Sequence, residues 1–488
     1  MELYRTKQPI VLIIFGASGD LAKLKLFPAL YSLAEQKRFG NDFHIIGFAR
    51  SPKSQTAFKK EFEESIKKAH KDANPKIINS LTKSLHYFQG NYDDIKDFSK
   101  LHAFTNKLGR KKNLTKLAYF SIPPVAFKPI IHNLGKTRDP KEDIRLIIEK
   151  PFGQNMKSAT GLFHYVARYF DENSVYLLDH YLGKTAVQSI LSLRHSNRIL
   201  NLMMKGGEVA NIQITAFEDK GVTNRVGYFD QVGTIRDMVQ SHLLQILALI
   251  TMSIPITENA RSLHREKYAI LSALSFERKE KNIVLGQYSG YKKEKDVPKN
   301  SKTETFTALR LFIDRESWYQ KPIYIRTGKK LGKKHTYIVI EIKKFGFQPA
   351  VEEPNRLIIE LHPDEKISIR LVNKLATNED QQVIGATESI ACTGDDCLPE
   401  HALLLLDVMR ENRVNFLSFN EIIATWQLTD EIVEFLKANK IKPETYADGS
   451  MGPQSQHKLT ALDGFEWFDV HQGTSKFSKT NKTSSKQL

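Results

Sequence analysis

The chain has 488 residues, 41% of them hydrophobic and 26% charged, which fits a folded protein with more than one core and excludes a disordered or fibrous chain. Lys and Arg outnumber Asp and Glu by 72 to 55, a net charge of +17. The basic residues are scattered without a basic–aromatic repeat, so nucleic acid is not the leading partner, and a phosphorylated substrate would suit the charge without being shown by it.

The first strand is the unbroken apolar run IVLIIF (10–15), the mark of a strand covered on both faces. It enters the turn Gly16-Ala17-Ser18-Gly19-Asp20-Leu21-Ala22, and a helix is predicted from about Asp20 with Leu26, Leu30 and Leu33 on one face. FHIIGFAR (43–50) is a second strand, followed by Phe58, Phe62 and Ile66 at helical spacing. Strands at 85–88 and 117–122, a helix carrying Phe127, Ile130, Ile131 and Leu134, and strands at 144–149 and 175–181 complete the pattern. Strands separated by helices predict an α/β, Rossmann-like parallel sheet over residues 1–178.

The pattern then changes. A helical stretch (184–204) leads to an alternating strand (208–217) and a long helix (234–253), and strand-like runs recur at 305–314, 322–328, 336–345, 356–361 and 366–372. Consecutive strands with few helices between them predict a larger α+β domain, 179–472, with a mainly antiparallel sheet. Residues 473–488 are Ser, Thr, Lys and Asn rich and read as a disordered polar tail. Cys392 and Cys397 are the two cysteines of the chain, too few for a disulfide framework or a closed zinc site, so reduced thiols and no metal are expected. No run has the length of a membrane span, and the N-terminus lacks an apolar signal core, which gives a cytoplasmic expectation with no membrane partner.

The glycine turn has the chemistry of a dinucleotide site. Gly16 turns the chain sharply off the strand, Gly19 lets backbone approach a pyrophosphate, and the helix start offers N–H groups to that anion. An acidic residue at the end of the second strand would select NAD. This strand ends in Ala49-Arg50-Ser51, and a guanidinium suits a 2′-phosphate, so NADP is the expected cofactor.

Four further stretches carry candidate chemistry. Lys150 in Glu149-Lys150-Pro151 follows a parallel strand directly, at the edge where ligands bind in such sheets. Asp179-His180-Tyr181-Leu182-Gly183-Lys184 ends the next strand; His180, Tyr181 and Lys184 offer donors to a phosphate, and Asp179 is free to orient a base. His242 shares a helix face with Met238 and Ile246. A lone inward histidine is commonly a core residue, but a carboxylate partner such as Asp179 would make it a base for a substrate hydroxyl. Arg326 and Lys329, in Arg326-Thr327-Gly328-Lys329, close a strand with clustered positive charge.

In chain order, GASGDLAKLKLFPAL, EKPFG, DHYLGK, GYFDQVGTIRDMVQSHLLQ, RTGK and YADGSMGP closely resemble the glucose-6-phosphate dehydrogenase family, from about residue 10 to about residue 453. The resemblance implies hydride transfer from C1 of β-glucose 6-phosphate to NADP, giving 6-phosphogluconolactone, the first step of the oxidative pentose phosphate pathway. It implies His242 as general base oriented by Asp179, with His180, Tyr181 and Lys184 gripping the phosphate. Lys150, Glu218, Asp237 and Lys329 would position the sugar, with Arg326 nearby. Gly16, Ser18, Gly19, Asp20, Leu21, Arg50 and Lys150 would form the cofactor site, with Tyr119 beside the nicotinamide half. A homodimer or homotetramer is also implied. Two rival readings are a sugar dehydrogenase of the Gfo/Idh/MocA type, which does not account for DHYLGK or RDMVQSH, and a catalytically silent NADP-binding protein, which has no need of both Asp179 and His242.

Overall fold

The computed structural model describes residues 8–40, 42–108, 114–223, 226–257, 259–344, 353–374, 381–394 and 397–469. The polar tail at 473–488 lies outside them. The chain forms two compact units, each assembled from separated segments: Met1–Asn197 with Gln240–Ser272 and Ile390–Asp430, and Arg198–Val239 with Ala273–Ser389 and Glu431–Leu488.

The first unit is built on a six-stranded sheet of β1 (Ile10–Phe15), β2 (Phe43–Ala49), β3 (Leu85–Gln89), β4 (Thr115–Phe120), β5 (Asp143–Glu149) and β6 (Val175–Leu178), in the order β3-β2-β1-β4-β5-β6. Every pairing is parallel. The order reverses between β1 and β4, and in such sheets the crevice beyond their carboxyl ends is the ligand position. All six residues of β1 are buried, as a strand covered on both faces requires. On one face Leu26, Leu30 and Leu33 pack with Phe58, Phe62 and Ile66. Leu404, Leu405 and Val408 of the helix Glu400–Met409 join that same core, so a segment late in the chain returns to the first sheet. Hydrophobic periodicity finds such a helix but not its destination, and the expectation of two consecutive blocks of chain divided at residue 178 had no access to that return.

Among the described residues the second unit carries ten strands: β7 (Val209–Phe217), β8 (Leu274–Ser275), β9 (Ile283–Tyr288), β10 (Phe306–Ile313), β11 (Ile323–Gly328), β12 (His335–Ile342), β13 (Arg356–His362), β14 (Lys366–Lys374), β15 (Gln381–Ser389) and β16 (Glu444–Tyr446). The order is β15-β14-β13-β12-β7-β11-β10-β9-β16, with β8 on β10. Pairing is antiparallel except where β11 meets β7 and β16 meets β9. The expected α+β domain with a mainly antiparallel sheet is what forms.

The cysteines depart from expectation. Cys392 and Cys397 form a disulfide. Gly394, at φ +107°, turns the chain between them, and the Cys397 N–H donates to the Gly394 carbonyl oxygen at 3.3 Å. Two cysteines are too few for a framework, but they suffice to close one local loop, which a count of thiols does not reveal. Among the described residues no helix is long and apolar enough to cross a membrane.

Candidate active site

The glycine turn fits a dinucleotide on its own geometry. Gly16 has φ +84°, and a Cβ there would lie 2.2 Å from the Ser121 carbonyl oxygen, so only glycine lets β1 turn this close to the end of β4. The Gly19 N–H closes the turn onto the Gly16 carbonyl at 2.9 Å. Ser18 and Leu21 are partly exposed and Asp20 exposed where the helix begins, while Ala22 is fully buried beneath them. The five residues Ala22–Leu26 are π-helical before the helix tightens at Phe27, and such turns recur at functional sites. Arg50 is exposed at the end of β2, its guanidinium 5.5 Å from the centre of the Tyr92 ring. Sequence reasoning had no signal for Tyr92, which lies far along the chain from the turn.

Tyr119 is placed differently from the expectation. It is fully buried within the core beside Leu117 and Ile147, and its hydroxyl donates to the Glu149 carboxylate. Burial, reinforced by Glu149, pushes its phenol well above the ordinary value. It thus supports the residue before Lys150 from within the core and presents no face to a cofactor.

Lys150, Asp179, His180, Tyr181, Lys184 and His242 come together in the first unit. The Lys150–Pro151 bond is cis. His242, 1% exposed, sits in a π-helical stretch, Ile235–Leu243. Its Nδ1 lies 2.5 Å from Asp179 Oδ1, and its Nε2 lies 2.6 Å from the Lys150 ammonium. A carboxylate accepts and an ammonium donates, so these two contacts favour the tautomer with the proton on Nδ1 and the Nε2 lone pair toward Lys150, although the Nδ1 contact is an ion-pair approach and not a well-formed hydrogen bond. The Tyr181 ring stacks on the imidazole with centroids 4.2 Å apart, and Lys184 Nζ covers that ring at 4.1 Å. His180 packs edge-on against His242 at 4.8 Å.

The electrostatics follow from burial. Asp179 Oδ1 also accepts the Tyr181 N–H at 3.0 Å, while Oδ2 is buried without a hydrogen-bond partner. Desolvation pushes the Asp179 carboxyl up, and Lys150, the Tyr181 N–H and Lys267 pull it back. Burial holds His180 well below its ordinary value, so it is neutral and donates through one ring nitrogen only. Asp179, His180 and His242 offer ligand atoms within 4.8 Å of one another. The Lys150 ammonium already occupies the open side of His242, which repels a cation and suits proton transfer instead.

In the second unit Lys329 Nζ lies 2.5 Å from Glu218 and 3.3 Å from Asp237. Burial opposes its charge, but these two carboxylates outweigh it and raise its pKa above the ordinary value. Arg326 is a correction. It is 1% exposed, and its guanidinium donates to Thr215, Gln456, Tyr337 and Asp469, each at 3.0 Å. It also lies over the rings of Phe217 and Trp467. The strand that ends at Gly328 carries Arg326 into the core of the unit, where its fork is spent on protein partners.

Both halves of the chain match family models: residues 13–189 the glucose-6-phosphate dehydrogenase NAD binding domain, and 191–468 the glucose-6-phosphate dehydrogenase C-terminal domain. The glucose-6-phosphate 1-dehydrogenase of Aggregatibacter actinomycetemcomitans is 36% identical, over 93% of this chain and 96% of the relative. That of Chlamydia muridarum is 34% identical, over 94% and 96%. A solved structure of glucose-6-phosphate dehydrogenase in complex with its substrate glucose-6-phosphate matches with TM-score 0.88 at 28% identity, over 95% of this chain and 99% of that one. The family matches span both units. The chain belongs to the glucose-6-phosphate dehydrogenase family and is an NADP-dependent oxidoreductase.

Proposed function

We propose that this chain oxidises glucose 6-phosphate at C1 to the 6-phosphogluconolactone, with His242 as general base. The observation that carries the reading is the line Asp179–His242–Lys150, which leaves one unprotonated ring nitrogen facing a cationic side chain. The C1 hydroxyl displaces the Lys150 ammonium from His242 Nε2 and gives its proton to that atom. Asp179 fixes the ring and stabilises the imidazolium that forms, and the Tyr181 face adds a cation–π contribution once His242 is charged. Bound NADP supplies the hydride acceptor.

His180, Tyr181 and Lys184 hold the 6-phosphate, and remote binding energy there places C1 at His242. Lys329, kept cationic by Glu218 and Asp237, is assigned with them to the sugar hydroxyls. Arg50 holds the 2′-phosphate of NADP, and Gly16, Ser18, Gly19, Asp20 and Leu21 the pyrophosphate. A homo-oligomer is supported by the edge of the larger sheet, where Leu371 and Ile384 stand 46% and 51% exposed; sedimentation of the pure protein separates monomer, dimer and tetramer.

The test of the reaction is NADPH absorbance after mixing the pure protein with glucose 6-phosphate and NADP, with glucose and NAD as parallel substitutes. Reduction that depends on the phosphate is expected. Equal rates with glucose would remove the grip assigned to His180, Tyr181 and Lys184.

A further inference from the structure

The second unit holds a cleft whose residues have no part in the reaction assigned above. Its volume is about 630 Å³, within the range of small-molecule sites. Five cationic side chains line it. Arg236 comes from the start of the stretch Ile235–Leu243, and Lys302 from the segment ahead of β10. Lys437, Lys440 and Lys442 come from the end of the helix Phe419–Ala438 and the turn after it. Val232, Leu285 and Leu436 supply an apolar wall.

Two carboxylates also line the cleft, and both are already engaged. Asp230 Oδ1 accepts the Tyr291 hydroxyl at 2.9 Å and the Ser301 hydroxyl at 2.5 Å. Glu304 Oε1 accepts the Ile235 N–H at 3.2 Å, and the Glu304 carbonyl takes the Thr234 N–H at 3.2 Å. The cations are not spent in this way. Arg236 Nη1 donates to the Gln231 carbonyl at 3.3 Å, while its Nε is buried without a hydrogen-bond partner. Among the described residues none of the five cations forms an ion pair. Lysines at the end of a helix complement its carbonyl groups, which accounts for Lys437 and Lys440. It does not account for Arg236 and Lys302, which two other segments bring to the same cleft. Like charges gathered in a concave site raise the local potential and draw in anions.

We propose that this cleft binds a small organic polyphosphate. Its phosphate groups meet Arg236, Lys302, Lys437, Lys440 and Lys442, and its apolar or aromatic body lies on Val232, Leu285 and Leu436. None of these residues is among those assigned to glucose 6-phosphate or NADP, so the site is a further one.

Calorimetry on the full chain tests it. Glucose 6-phosphate and NADPH are supplied first, a pair that cannot turn over, so that the assigned anion sites are filled. Metal-free ATP is then titrated, with tripolyphosphate and adenosine in parallel. One ATP per chain is expected, with tripolyphosphate about tenfold weaker because it lacks an apolar body and adenosine silent. Lys437→Ala with Lys440→Ala weakens ATP by about a hundredfold. Lys281→Ala with Lys292→Ala, at exposed lysines outside the cleft, keeps the wild-type affinity. The proposal is overturned by the absence of saturable ATP binding, by binding unchanged in the cleft variant, by tripolyphosphate as tight as ATP, or by equal losses in the two double variants, which would mark diffuse attraction to a basic surface. Wild-type protein that binds ATP through Lys437 and Lys440 but does not oxidise glucose 6-phosphate refutes the assigned reaction and supports the cleft, so the two failures are distinguishable.

Discussion

Two buried ionic clusters, one in each unit, differ in how fully their polar atoms are satisfied. Arg326 in the second unit spends its guanidinium on Thr215, Gln456, Tyr337 and Asp469, between two aromatic faces. Asp179 and His242 in the first unit keep a carboxylate oxygen without a hydrogen bond and point a ring nitrogen at the Lys150 ammonium. A closed network specifies a fold, whereas an incompletely satisfied one stores the capacity to bind and to move a proton. Charge and burial alone do not separate the two, since both clusters are almost wholly enclosed.

The sharpest way to break this contrast is Asp179→Asn. The amide donates to Nδ1 and places the proton on Nε2, so kcat falls by on the order of 10³-fold or more, with KM for glucose 6-phosphate little changed. Steady-state kinetics on folded protein decide it. The matching change in the closed cluster, Arg326→Met, acts on the fold. It strands Asp469 and costs about 3 kcal/mol, seen as a lower thermal midpoint, while kcat per folded molecule is preserved. A loss of kcat at an unchanged midpoint would return Arg326 to the active site.

Smaller effects sharpen the picture. Lys184→Ala raises KM for glucose 6-phosphate by roughly tenfold to a hundredfold, the worth of a charge-assisted hydrogen bond to phosphate, with a smaller effect on kcat. Arg50→Glu lowers kcat/KM for NADP by about tenfold or more and spares NAD, since it meets the 2′-phosphate with like charge. The smallest effect is on stability. His180 lies below its unfolded value of 6.5 in the folded chain, so below that pH the unfolded chain binds the additional proton. Its contribution is therefore present above pH 6.5 and lost as the pH falls through the folded value. Thermal midpoints across this range should fall less steeply for His180→Asn than for the wild type.

Much of this was legible in the sequence because it is local. The run at Ile10–Phe15, the turn at Gly16 and Gly19, and the cluster at Asp179–Lys184 each declare a strand, a turn or a site within a few residues. The pairing of Asp179 with His242 was legible because their types are complementary. Arg326 was misread because proximity in sequence to Lys329 says nothing of which side of a strand faces the core. Tyr119 was assigned from the resemblance alone, and no local signal told that it would be buried against Glu149. The basic cleft gave no signal, since Lys302, Lys437, Lys440 and Lys442 read as solvated residues until the fold brings them together. The disulfide was missed because it closes a loop through a turn at Gly394 that thiol counting ignores.

The central claim concerns one nitrogen atom. Its most direct test is the ¹⁵N NMR spectrum of the His242 ring in the free protein at the pH of maximal activity, assigned by comparison with His242→Gln. The account predicts a neutral imidazole with the proton on Nδ1 and a bare Nε2. A ring that is doubly protonated there, or neutral with its proton on Nε2, would contradict the assignment of His242 as the base.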